Sequence, residues 1–220
     1  MTGLSTFTLA LANETATANL MADLALLIAP GDVITLSGDL GAGKTAAARA
    51  FIRYLADDPE TEVPSPTFTL AQSYELPSWP LVHADLYRIN DATELEEIGL
   101  SPLPEGVVAL IEWPERAPEA LPADRIDIAL SHRPALGSTA RAAVITGYGK
   151  AAAQVERLQT LRQFLERAGF IHGTPIDVKG HPYLLTADGR IEVQDWRHIP
   201  FITKGLPPGA KTPQPIVNGK

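Results

Sequence analysis

Cysteine is absent from all 220 residues. That excludes disulfides, thiolate zinc sites and cysteine nucleophiles, leaves oxygen ligands for any metal, and suits a reducing cytoplasm. Also missing is any Lys/Arg-rich run. With 18 basic against 26 acidic residues and a formal net charge of −8, the chain has no stripe able to track a nucleic-acid backbone, so strong direct binding of nucleic acid by this chain alone is not expected. Long hydrophobic runs are lacking too. The most apolar stretch, Leu20 to Ala29, is about half the length a bilayer span requires, and no basic segment precedes it as in a signal peptide. The expectation is a soluble, cytoplasmic protein without a membrane role.

What is present is the composition of a folded protein. Hydrophobic residues make up 45% and charged residues 20%, within the globular range. The length allows one α/β domain of about 150 residues with an appendage.

The hydrophobic periodicity predicts alternating strands and helices. Thr6 to Leu11 alternates as a strand; Asn13 or Thr15 offers an N-cap to a helix whose stripe is Leu20, Met21, Leu24, Leu27 and Ile28, ending at Pro30-Gly31. Val33 to Leu36 reads as a buried strand and Lys44 to Ala56 as a helix. Val63-Pro64-Ser65-Pro66-Thr67 cannot be helical, because each proline forces its predecessor to extended geometry. Phe68 to Leu76 then alternates as a strand, turns at Pro77 to Pro80, and returns over Leu81 to Asp85 as an antiparallel hairpin. Asp91 to Ile98 reads as a short acidic helix. Val107 to Ile111, Arg125 to Leu130 and Arg141 to Gly147 read as strands, and Ala151 to Ala168 as a helix with Val155, Leu158, Leu161 and Leu165 inward. Together these predict an α/β fold: a mixed sheet of P-loop NTPase type, flanked by helices. Beyond that helix Gly and Pro increase. A hairpin is expected around Ala187-Asp188-Gly189-Arg190, and the last fifteen residues read as flexible.

The strongest chemical signal is Gly38-Asp39-Leu40-Gly41-Ala42-Gly43-Lys44-Thr45, which fits the phosphate-binding pattern G-x-x-x-x-G-K-[ST]. Glycines let the backbone curl round a polyphosphate with its N–H groups inward, and the following helix presents its positive end to the same anion. Lys44 would reach the β- and γ-phosphates, and the Thr45 hydroxyl would ligate Mg²⁺. The pattern alone arises by chance in about one chain in a hundred of this length; the β-branched strand before it and the helix after it make it specific.

Such a site needs a carboxylate near the metal and the attacking water, at the carboxyl end of a neighbouring strand. Two residues qualify, Asp85 after Leu81-Val82-His83-Ala84 and Glu112 after Val107 to Ile111. Spacing does not say which of them holds the metal and which orients the nucleophile. Thr67, in the Pro-rich loop, stands where P-loop proteins often keep a γ-phosphate-sensing hydroxyl. His83 shares a sheet face with Asp85 and reads as a hydrogen-bonded core histidine. Arg88 and Arg116 are candidate charge neutralisers that read more simply as surface arginines, and Tyr87 and Trp113 as core or rim aromatics.

In order and spacing, GDLGAGKT, VPSPTFTL, HADLYR and LIEWPERA closely resemble the TsaE family, over roughly Thr6 to Leu158. The resemblance implies a small ATPase subunit of the bacterial machinery that installs threonylcarbamoyl on the adenosine beside the anticodon of certain tRNAs. It implies ATP and Mg²⁺ as cofactors and association with TsaB and TsaD, the partners that would handle tRNA. By the same resemblance Lys44 and Thr45 bind phosphate and Mg²⁺, Asp85 and Glu112 are the catalytic and metal-associated carboxylates, and Thr67 lies in a switch-like loop. The family usually continues GKT with a second threonine; here Ala46 follows, and the expected metal ligand Thr45 is kept. A family domain over 1–158 leaves 159–220 as an extension, in which RLQTLRQFLERAGF and the DGR hairpin faintly resemble the beginning of an aminoglycoside-phosphotransferase-like fusion.

Three other readings compete. A P-loop kinase acting on a small molecule would need an arginine-rich lid, and the chain shows no such cluster; a GTPase would need a guanine-reading N-K-x-D-type segment, and none follows the loop. A nucleotide-gated scaffold with little hydrolysis fits less well with two intact carboxylates.

Overall fold

Asn13 does cap the first helix: it is extended, and its side chain accepts from the Ala16 N–H at 2.9 Å. The computed structural model to which this belongs describes residues 3–89, 93–97, 100, 102–103, 105–167, 184–185 and 191–192. Its elements are β1 (Leu4–Leu11), α1 (Glu14–Ala25), β2 (Val33–Ser37), α2 (Lys44–Ala56), β3 (Ala71–Glu75), β4 (Pro80–Asp85), α3 (Thr93–Glu97), β5 (Val108–Glu112), β6 (Arg125–His132), β7 (Arg141–Tyr148) and α4 (Ala151–Arg167). Three short 3₁₀ turns, each begun by a proline, start at Pro114, Pro118 and Pro134.

The strands form one seven-stranded sheet in the order β1-β7-β6-β2-β5-β4-β3. β6, β2, β5 and β4 run parallel, whereas β3 and the β7–β1 pair run antiparallel to their neighbours. This is the expected mixed α/β sheet. From β2 the chain passes over to β4, comes back to β5 between them, and then crosses to β6 on the far side of β2. The crevice where the direction of winding changes is where such sheets bind ligands.

One face is covered by α1, α2 and α4, whose Leu20, Met21, Leu24, Phe51, Ile52, Val155 and Leu158 pack with Ile34, Leu36, Leu110, Ile128 and Ile145. The other face of the parallel strands is covered by Leu86, Ile89, Leu95 and Leu100 over Val82, Ala84, Ala109 and Ile111. Burial on both faces explains why β5 reads as an unbroken apolar run. Close contact between β7 and α4 depends on Gly147, since a Cβ there would lie 2.5 Å from the Ala151 carbonyl and 2.7 Å from Val155 Cγ2.

Two expected elements are shorter. Helix α1 stops at Ala25, so Leu27 and Ile28 lie in the turn that follows, with the Leu27 N–H on the Leu24 carbonyl. β3 begins at Ala71 rather than Phe68: Pro66 to Leu70 closes a turn in which the Leu70 N–H meets the Pro66 carbonyl at 2.6 Å and Leu70 adopts φ 64°. Phe68 is thereby left 85% exposed.

The chain divides into two compact units, Met1–Gly173 and Thr174–Lys220. The 158/159 boundary expected from the sequence falls inside α4. That helix is tied to α1 by a buried ion pair between Arg162 and Asp23. In the second unit, Leu184–Leu185 (β8) pairs antiparallel with Ile191–Glu192 (β9). Most of the segment RLQTLRQFLERAGF, up to Arg167, belongs to α4; the turn between β8 and β9 and the last fifteen residues, which the sequence reads as flexible, lie outside the described residues, as do Asp91 and Ile98 of the expected acidic helix. Among the described residues no helix is long and apolar enough to cross a membrane.

Candidate functional site

Register decides what the site contains. Leu36 pairs with Glu112 and Glu112 with Asp85, so the carboxyl ends of β2, β5 and β4 stand in one row. The loop from Ser37 to Lys44 leaves the first of them and both carboxylates close the others.

Three loop glycines have positive φ: Gly38 at 132°, Gly41 at 79° and Gly43 at 104°. At Gly38 space is decisive as well, because a Cβ would lie 2.2 Å from the Leu130 carbonyl oxygen. The Lys44 ammonium folds back over the loop, donating to the carbonyls of Gly38 at 2.6 Å and Asp39 at 3.0 Å, with the Trp113 ring centroid 3.5 Å away. Burial pushes its pKa below the usual lysine value, while Glu112, Glu115, Asp85 and Asp39 push back. Trp113 is held in this place by a left-handed backbone, φ 58°, and by its N–H on the Leu36 carbonyl.

The two carboxylates have different partners. Glu112 is buried; its Oε2 accepts from the Thr45 hydroxyl at 2.9 Å, and its Oε1 lies 2.9 Å from His83 Nε2. Asp85 Oδ2 accepts from the Thr67 hydroxyl at 2.7 Å and more distantly from Ser65, and its Oδ1 accepts from the Tyr87 N–H. The Pro66–Leu70 turn, which displaced the start of β3, is what brings these two hydroxyls to Asp85.

Around them lies a cleft of about 320 Å³ lined by Leu40, Gly41, Gly43, Lys44, Thr45, Ser65, Thr67, Asp85, Tyr87, Glu112 and Trp113. Of the residues expected at the site, Gly38, Asp39 and Ala42 do not line it; Gly38 and Asp39 act through carbonyls and Ala42 is buried behind the loop. Neither Arg88 nor Arg116 lines it. Their guanidinium groups lie over Phe68 at 5.5 Å and Tyr87 at 5.3 Å.

Three contributors were not assigned to the site from the sequence. Ser65 could have been found as the hydroxyl two residues before Thr67. His83 was read as a core histidine, and its contact with Glu112 joins residues 29 positions apart. Arg141, whose guanidinium reaches the loop carbonyls of Gly41 and Ala42 from β7, gave no local signal.

The motifs of the site lie inside a longer match. A family model described as "Threonylcarbamoyl adenosine biosynthesis protein TsaE" matches residues 11–141. The chain belongs to the TsaE family. The TsaE protein of Rickettsia bellii, named a tRNA threonylcarbamoyladenosine biosynthesis protein, is 38% identical over 118 residues, which is 54% of this chain and 81% of that protein. The Bacillus subtilis TsaE protein, named in the same words, is 43% identical over 102 residues, 46% of this chain and 62% of the relative. The crystal structure of YdiB from Bacillus subtilis superposes with a TM-score of 0.59 at 29% identity, covering 72% of this chain and 97% of that one. All four sequence blocks that carried the resemblance, from GDLGAGKT to LIEWPERA, fall within the TsaE match.

Proposed function

We propose that this chain binds MgATP in the cleft and hydrolyses it, as the ATPase subunit that supports threonylcarbamoylation of tRNA adenosine together with TsaB and TsaD, tRNA being reached through those partners. The observation that carries this reading is the row formed by the phosphate loop after β2, Glu112 ending β5 and Asp85 ending β4. The names of the TsaE relatives support the pathway.

Each residue's part follows from its contacts. The loop N–H groups and the first turn of α2 receive the phosphates, and Lys44 exchanges the Gly38 and Asp39 carbonyls for phosphate oxygens. Thr45 and Glu112 are hard oxygen donors already 2.9 Å apart, a pair suited to hold Mg²⁺ together with phosphate oxygens. When bound, that ion neutralises charge between the β- and γ-phosphates. His83 fixes Glu112 through the other carboxylate oxygen, so Oε2 stays turned to Thr45. Asp85, anchored by the Tyr87 N–H, orients the attacking water, and Thr67 links it to the Pro-rich loop.

The test is steady-state MgATP hydrolysis by the purified chain, alone and with the TsaB–TsaD pair plus tRNA, with Lys44→Ala as blank. Turnover that is slow alone and rises with the partners is expected. Turnover indifferent to them would separate the chain from that pathway, and nucleotide-dependent partner binding without turnover would make it a gated scaffold.

A further inference from the structure

A phosphate loop works only if its peptide units face the right way, and glycine permits either orientation. In this chain a residue outside the motif fixes it. Arg141 opens β7 opposite His132 of β6. Its Nε donates to the Ala42 carbonyl at 2.8 Å and its Nη2 to the Gly41 carbonyl at 3.4 Å, while Nη1 donates to the carbonyls of Ser138 and Ala140 in the turn joining β6 to β7. Those four contacts occupy four of the five guanidinium N–H groups. Because a trans peptide is planar, holding the Ala42 carbonyl on Arg141 turns the Gly43 N–H to the opposite side. Gly43 lines the cleft and Arg141 does not. A cation behind the carbonyl also polarises the peptide and strengthens that N–H as a donor.

Resting on the nucleotide reading above, we infer that Arg141 is a positioning residue for phosphate binding, which holds Gly41 to Gly43 in the conformation that receives the α- and β-phosphates and itself touches no nucleotide. A guanidinium whose donors are committed to carbonyls is unlike one that contacts the γ-phosphate in the transition state, and the two roles differ in what ADP reports.

The experiment measures ADP and ATP affinity by calorimetry, and MgATP turnover, for the full chain, Arg141→Lys and Arg141→Ala, with melting curves as the check on folding. Arg141→Lys keeps the charge but not the fork. Its ADP and ATP affinities should fall by the same factor, on the order of tenfold, with kcat at saturation within about twofold of the unaltered chain. Free guanidinium at millimolar concentration should partly restore ADP affinity to Arg141→Ala and leave Lys44→Ala unrestored. Unchanged affinities in Arg141→Lys overturn the inference, as does a loss confined to kcat or to ATP with ADP unaffected, which marks a direct γ-phosphate contact. If one variant does not fold, the other carries the test: equal loss for both nucleotides in Arg141→Lys, or guanidinium rescue in Arg141→Ala. If the unaltered chain binds neither nucleotide, the reading of the site fails and this inference with it. Binding that persists unchanged in the variants defeats this inference alone.

Discussion

The β2–β5–β4 part of the sheet and the β1–β7–β6 part are built differently. Strands β2, β4 and β5 are buried along almost their whole length and end in the glycine loop, Asp85 and Glu112 in turn. Strands β1, β6 and β7 alternate buried and exposed residues and have α4 on one face. In the first region buried charge is tolerated because its groups satisfy one another, Glu112 with Thr45 and His83, Asp85 with Thr67. In the second, the buried charge is Asp23 with Arg162, which joins α1 to α4 in the helical layer. The same hydrogen-bonding rule therefore gathers the candidate site's polar groups in one place and attaches a helix in the other.

If that division is right, substitutions in the site should remove function and spare stability, and those in the helical layer should do the reverse. The largest effect is expected from Lys44→Ala, which deletes the ammonium proposed to meet the phosphates. MgATP affinity measured by calorimetry should fall at least about 100-fold, with the melting temperature little changed. Next, Asp85→Ala should keep nucleotide affinity within a few-fold and lower kcat by about 10² or more; loss of ATP binding in this variant would break the assignment of Asp85 to the hydrolytic step.

On the other side, Asp23→Ala leaves the Arg162 guanidinium buried without its carboxylate. Denaturant unfolding should show a loss of about 3–5 kcal/mol, and the ATP affinity of the folded fraction should be unaltered. The smallest effect concerns Tyr54 of α2, whose hydroxyl is pushed up to about 12 from 10.0, chiefly by burial and then by Asp23 and Asp57. A pKa raised on folding favours the neutral phenol in the folded state. This contribution is whole below pH 10 and fades as pH rises from 10 toward 12. Tyr54 should therefore titrate late by tyrosinate absorbance, together with Tyr74, whose hydroxyl burial also pushes up, and Tyr54→Phe should remove one tyrosine's amplitude from that phase.

Much of the β2–β5–β4 region could be read without coordinates, and the reasons are local. A β-branched run, a glycine loop and a helix occupy consecutive residues, and Asp85 and Glu112 end apolar runs that end as strands do. The exceptions are equally instructive. Phe68 to Leu70 alternates like a strand, but Leu70 takes a positive φ after Pro66 and the segment becomes a turn serving Asp85. Leu27 and Ile28 continue the stripe of α1 although the helix has ended, because burying them in a turn satisfies the same hydrophobic pattern. Arg141 reads as an ordinary strand residue, and only the pairing of β7 with β6 carries it to a loop about 100 positions away.

By itself, then, the sequence determined the glycine loop with its strand and helix, the two strand-end carboxylates, the mixed α/β class and the TsaE resemblance, since all of these rest on residues that are neighbours in the chain. Tertiary structure alone decided that β5 inserts between β2 and β4, that Glu112 is shared by Thr45 and His83 while Asp85 takes Thr67, and that Arg141 braces the loop. Those choices depend on register between distant segments, and register is set by the packing of the whole core, which no local stretch of residues contains.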